Sequence, residues 1–144
     1  LRVVELSVGD VSDGDVSDRF PILAGCGASL SCCRTAHKPE SLAYRFTGPS
    51  GVSLVYSGDT DVTDRLIDLA RGADTLICAA SFPDGFKTAG HLTPSLAGQA
   101  AEQAGVGRLV LTHFYPECLA ADRVSQCRKT FSGSIVLAED LLAL

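Results

Sequence analysis

At 144 residues and 46% hydrophobic content the chain is long enough for one domain with a real core. Its net charge of −5 excludes a general nucleic-acid binder, whose affinity comes mainly from clustered Lys and Arg neutralising phosphates, although Arg123, Arg128 and Lys129 lie close enough in sequence to form a local basic rim. No apolar run approaches the ~20 residues of a membrane span and no secretory signal pattern opens the chain, so the expectation is a soluble, cytoplasmic polypeptide; the lack of any methionine predicts that it is processed or partial.

Residues 2–8, RVVELSV, alternate as a strand does, and the pentapeptide GDVSD then occurs twice, at 9–13 and 14–18. Four aspartates there lack the glycine and distal glutamate of an EF-hand, so the segment reads as a solvated acidic turn or hairpin rather than a calcium loop. Residues 20–36, rich in Gly, Ser and Cys, carry no clear period. Six cysteines (Cys26, Cys32, Cys33, Cys78, Cys118, Cys127) lack paired zinc-knuckle spacing and read as reduced thiols, with a redox or metal role for Cys26, Cys32 and Cys33 as the alternative.

From residue 41 the pattern sharpens. SLAYRF (41–46) and VSLVYS (52–57) read as strands joined by the turn TGPSG. A helix is predicted over 62–71, capped by Thr60 or Asp61, burying Val62, Leu66, Ile67 and Ala70, and stopped by Gly72. DTLICAA (74–80) is a short continuous apolar run, as expected of a strand covered on both faces. Thr93 followed by Pro94 starts a helix running to Gly105, with a stripe of Leu96, Ala97, Ala100, Ala101 and Ala104. A strand at 108–113, a helix over 119–130 and a strand at 134–139 complete the series. This alternation predicts an α/β fold, a mixed sheet with parallel neighbours and helices packed on it.

Three chemistry-bearing residues fall where strands end or helices begin: Asp59 in YSGDT, His91 in GHLTP and His113 in LTHFYP. A carboxylate after a glycine turn can cap a helix or bind a cation. A neutral imidazole at a strand end can ligate a metal, and one before a helix start can meet an anionic oxygen.

In this order and spacing, SLAYRF, SGDT, a strand ending in SFPD, GHLTP and LTH resemble the metallo-β-lactamase fold in its ribonuclease Z-like branch, over residues 37–144. The resemblance implies half of an αββα sandwich, the C-terminal part of a metal-dependent hydrolase. It implies that Asp59 bridges two metal ions, usually zinc with manganese or iron as alternatives, and that His113 ligates one of them. It gives His91 the scissile phosphate and the leaving group, and His37 a position near the substrate. In a complete site two metals lower the pKa of a bridging water and supply the nucleophile for a phosphodiester in a small molecule or RNA.

Two departures stand out. The family's HxHxDH loop is absent, since the only histidines are His37, His91 and His113; the implied partner is an N-terminal half that carries it, with self-association a further possibility. Ala79 in ICAASF stands where the family places a glutamate that orients the GH histidine. The competing expectation is therefore a non-catalytic half-domain serving assembly.

Overall fold

The computed structural model describes residues 17–21 and 27–143, with side chains from residue 27 onward. Seven strands form one sheet in sequence order: β1 (Ser17–Pro21), β2 (Ser29–Arg34), β3 (Leu42–Thr47), β4 (Ser53–Tyr56), β5 (Thr75–Ala79), β6 (Arg108–Thr112) and β7 (Ser134–Leu137). Strands β1 to β4 pair antiparallel, whereas β4 to β7 pair parallel through helical crossovers. The mixed α/β sheet expected from the sequence is therefore present. The predicted strand at 2–8 and the first GDVSD repeat lie outside the described residues, as does Cys26.

Helices α1 (Asp64–Ala70), α2 (Pro94–Ala104) and α4 (Arg123–Arg128) pack on one face, over Cys33, Ala43, Val55, Leu76, Cys78, Leu109 and Leu111. Burying these side chains supplies about 1.5–3 kcal/mol for each large aliphatic residue. Helix α2 starts as its sequence dictates. Thr93 accepts from Leu96 N, Pro94 occupies the first turn, and Gly105 closes the helix in the left-handed region. Its Gly98 is buried where an added Cβ would stand 2.8 Å from Cys127 O, so the missing side chain lets α2 and α4 approach closely.

Three expectations need correction. Helix α1 begins at Asp64 and leaves Val62 exposed, because Asp61 is held extended by an isolated bridge to Ala36 and its carboxylate turns to other partners. The helix expected over 119–130 is two short ones, α3 (Pro116–Leu119) and α4. Asp122 accepts from Ser125 N and so restarts the helix as a new N-cap. The irregular stretch 20–36 contains β2, whose small Ser and Cys side chains gave no legible period.

Cys33 and Cys78 are buried thiols pushed up to about 12 by desolvation, and burial likewise raises Cys127 to about 11. The structure thus bears out inert core thiols at these positions, against a redox or metal role for Cys33. The basic side chains of Arg123, Arg128 and Lys129 make internal contacts. Arg123 stacks 4.7 Å over the Phe114 ring, Arg128 donates to the carbonyls of Phe131, Ser132 and Gly133, and Lys129 pairs with Asp84.

On the opposite sheet face, register aligns Cys32, Tyr44, Tyr56, Ile77, Val110 and Val136 in one row and Leu30, Phe46 and Leu54 in another. Among the described residues no helix packs there, and Phe46 and Tyr56 are 42% and 48% exposed.

Candidate metal and catalytic centre

Parallel strands β4, β5 and β6 end at the same sheet edge, and the loops leaving them bring Asp59, His91 and His113 together. Ligand atoms of the three residues lie within 4.8 Å of one another, although 54 positions separate the first from the last. This is the carboxyl-end placement expected of a site in an α/β sheet.

Each member is held by local structure. Gly58 adopts φ +57, turning the chain out of β4, and a Cβ there would stand 3.0 Å from Leu42 O. That turn aims Asp59 into the site, while Thr35 Oγ1 donates to the Asp59 carbonyl at 2.8 Å. Asp59 therefore does not cap α1; Thr63 occupies the N-cap position. His113 is itself left-handed at φ 60, a conformation that costs a non-glycine residue about 1–2 kcal/mol. Backbone strain of this kind persists where the surroundings enforce it, and here it directs Nε2 to within 3.1 Å of Asp59 Oδ1.

His91 sits deeper. Its Nδ1 lies 3.2 Å from Ser81 Oγ, and its ring packs edge-on against Phe82 and Tyr115, which stack on each other with centroids 4.8 Å apart. Burial pushes its pKa down, neighbouring His37 and His113 lower it further, and Asp59 opposes them without reversing the shift. The imidazole is accordingly neutral at pH 7.

His37 joins the cluster from the β2–β3 connection. Its Nδ1 donates to Gly90 O at 3.1 Å, which fixes that tautomer, and its Nε2 faces Asp59 Oδ2 at 3.9 Å. Its ring centroid is 5.0 Å from that of His91.

Asp61 binds the loops together, a role the sequence reading reduced to helix capping. Its carboxylate accepts from Val62 N, Gly90 N and Lys87 Nζ at 2.8, 3.0 and 2.8 Å. Burial works against its charge, but these donors outweigh it and hold the carboxyl below the usual range. Asp84 acts similarly at the start of α2, accepting from Ser95 N and Oγ and from Lys129.

Asp59 and His113 suit a divalent ion. A carboxylate oxygen and an imidazole nitrogen 3.1 Å apart can share one ion at the ~2.0–2.2 Å bond lengths of zinc, and both side chains are about two-fifths exposed (38% and 41%) toward the open edge. With His91, whose ligand atom lies within the same 4.8 Å, three donors are present among the described residues, the number a catalytic zinc ordinarily has; Asp59 and His113 alone fall one short.

Sequence reasoning missed Ser81, Asp61 and the Phe82–Tyr115 pair as members of this edge. Ser81 was accessible in principle, since SFPD directly follows β5.

The family model of the Beta-lactamase superfamily domain matches residues 5–114, a range that begins earlier than the 37–144 expected from the motifs. An uncharacterized protein of Mycobacterium tuberculosis (strain ATCC 25618 / H37Rv) is 44% identical over 102 residues, covering 69% of this chain and 37% of the relative. Ribonuclease Z of Synechococcus sp. (strain CC9605) is 38% identical over 104 residues, covering 65% of this chain and 32% of that protein. The match thus spans only about a third of either relative's length. Among solved structures, the metallo-β-lactamase fold protein YhfI from Bacillus subtilis superposes with TM-score 0.76 at 27% identity, covering 87% of this chain and 51% of that one. Human tRNase Z, short form, gives TM-score 0.63 at 26% identity, covering 86% and 45%. Ordered motifs, sheet and the matched family model agree: the chain belongs to the metallo-β-lactamase superfamily, and ribonuclease Z proteins are among its relatives.

Proposed function

We propose that this chain carries part of a metal-dependent phosphodiesterase site, with Asp59 and His113 as metal ligands, His91 as the catalytic residue at the leaving group and His37 against the substrate. The observation that carries this reading is the convergence of those side chains on one sheet edge, within hydrogen-bond reach or a few ångströms. Zinc is the expected ion, with manganese or iron as alternatives, and when bound it supplies Lewis acidity and an activated water.

The chain's own residues then do the following. Asp59 and His113, both partly exposed, would hold the ion. His91, neutral and set 6.2 Å from His113 between ring centroids, presents an imidazole nitrogen to the oxygen that departs. Phe82 and Tyr115 shield that ring from water on one side, strengthening whatever polar contact it makes. Asp61 keeps the Asp59 and His91 loops in register.

A small phosphate-containing substrate is favoured over bulk RNA, because the chain is acidic. The apolar rows led by Tyr56 and Phe46 support docking of a second αβ layer that would also supply HxHxDH, as does the coverage of about half of each neighbouring structure. A non-catalytic assembly role is the alternative that Ala79 supports.

The test is reconstitution. Adding a separately made N-terminal half carrying HxHxDH should restore zinc binding and hydrolysis of a model phosphodiester together. Complex formation without either would leave the assembly role standing and remove the catalytic one.

A further inference from the structure

Ala79, 2% exposed at the end of β5, has no polar side-chain atom with which to orient the histidine of the GH motif. The neighbouring contact is different in kind. Ser81, fully buried, lies two residues further on with Oγ 3.2 Å from His91 Nδ1. No other polar contact of that hydroxyl is present among the described residues.

Ser81 is also held on both sides. Its backbone N–H donates to Leu92 O at 3.0 Å, in the loop that carries His91, and its carbonyl accepts from Tyr115 N at 3.0 Å, in the loop that follows His113. The residue therefore clamps the two histidine loops to the end of β5. Its hydroxyl position is set by backbone that the site itself depends on.

A carboxylate and a hydroxyl differ as partners for the ring. A carboxylate can only accept, so it would place the proton of a neutral imidazole on Nδ1 and leave Nε2 as a bare acceptor. A serine hydroxyl can accept as well as donate, but with Nδ1 as its one polar contact among the described residues its own proton is satisfied only if it donates there. Donation from Oγ puts the ring proton on Nε2, the nitrogen left for the cluster.

Resting on the phosphodiesterase reading for its consequence, we propose that Ser81 is the positioning residue for His91, holding the ring as the Nε2–H tautomer. In that state His91 offers a hydrogen bond to an anionic or departing oxygen. It is a donor from the outset rather than a base that must first gain a proton. Ser81 touches neither substrate nor ion; it acts through His91.

The experiment is long-range 15N–1H NMR of the histidine rings in the intact protein with 15N-labelled histidine, in wild type, Ser81→Ala and Ser81→Thr, beside kinetics on a model phosphodiester. Wild type should show His91 with a bare Nδ1 and a protonated Nε2. Ser81→Ala should show mixed tautomers and lower kcat by about tenfold with KM little changed, and Ser81→Thr, which keeps the hydroxyl, should restore both. A wild-type ring protonated on Nδ1, or a Ser81→Ala protein whose His91 signals match wild type, would overturn the proposal. The tautomer is read without turnover, so a protein that hydrolyses no phosphodiester would remove the functional reading while the NMR still decides the role of Ser81.

Discussion

The left-handed backbone at His113 gives a stability ordering opposite to that of an ordinary strand end. At φ 60 a side chain bearing a Cβ costs about 1–2 kcal/mol, whereas glycine carries no such cost. Against this, glycine widens the unfolded ensemble by about 0.4–1 kcal/mol. His113→Ala and His113→Gly both delete the imidazole and its 3.1 Å contact with Asp59, so they differ only in backbone. The glycine variant should be more stable than the alanine variant by roughly 1 kcal/mol. Urea denaturation of metal-stripped intact protein measures this as a higher midpoint at unchanged m. Both variants should lose metal to the same extent, since neither has the ring. An alanine variant equal to or more stable than the glycine variant would show that residue 113 is not held left-handed, and the aiming of its imidazole would need another cause.

Further outcomes follow from the loops around the site. Gly58→Ala should cost about 1–2 kcal/mol by placing a Cβ at φ +57, 3.0 Å from Leu42 O, and should weaken metal binding by displacing Asp59; equilibrium unfolding and metal analysis check it. Asp61→Asn should destabilise by about 2 kcal/mol at neutral pH, since it weakens charge-assisted bonds to Val62, Gly90 and Lys87, discounted for the partly exposed lysine. Because the folded Asp61 carboxyl lies below its ordinary value, that stabilisation is present above about pH 4 and fades as pH falls through the lower folded value. Unfolding midpoints of wild type and Asp61→Asn should therefore converge in acid, and a constant gap down to strongly acidic pH would contradict the assignment. His91→Ala should keep its metal and lose turnover, which metal analysis beside kinetics separates.

The parallel half of the sheet was legible because continuous apolar runs such as TLICAA and RLVLT, separated by helix starts, leave little choice of connection. Asp59 and His113 were legible because each closes or follows such a run, and His91 because it precedes a helix start. What escaped the sequence depends on long-range partners. Val62 fits the helical period, but the bridge between Ala36 and Asp61 overrides it, and those residues are 25 positions apart. Asp122 resembles any polar residue inside a helix until its side chain is seen to cap Ser125. SFPD marks the end of β5 but not the role of its serine; only the register of β5 beside β6 and the return of Leu92 place the Ser81 hydroxyl on His91. Sequence proximity of Arg123, Arg128 and Lys129 likewise says nothing of what their long side chains meet.

The central claim, that Asp59 works as a metal ligand rather than as a turn residue, is tested most directly by zinc titration of the intact protein against its Asp59→Ala variant, read by metal analysis after equilibrium dialysis. Wild type joined with the HxHxDH half should retain zinc, and the Asp59→Ala complex should lose most of it while folding to the same secondary structure. Equal zinc content in the two proteins would contradict the claim.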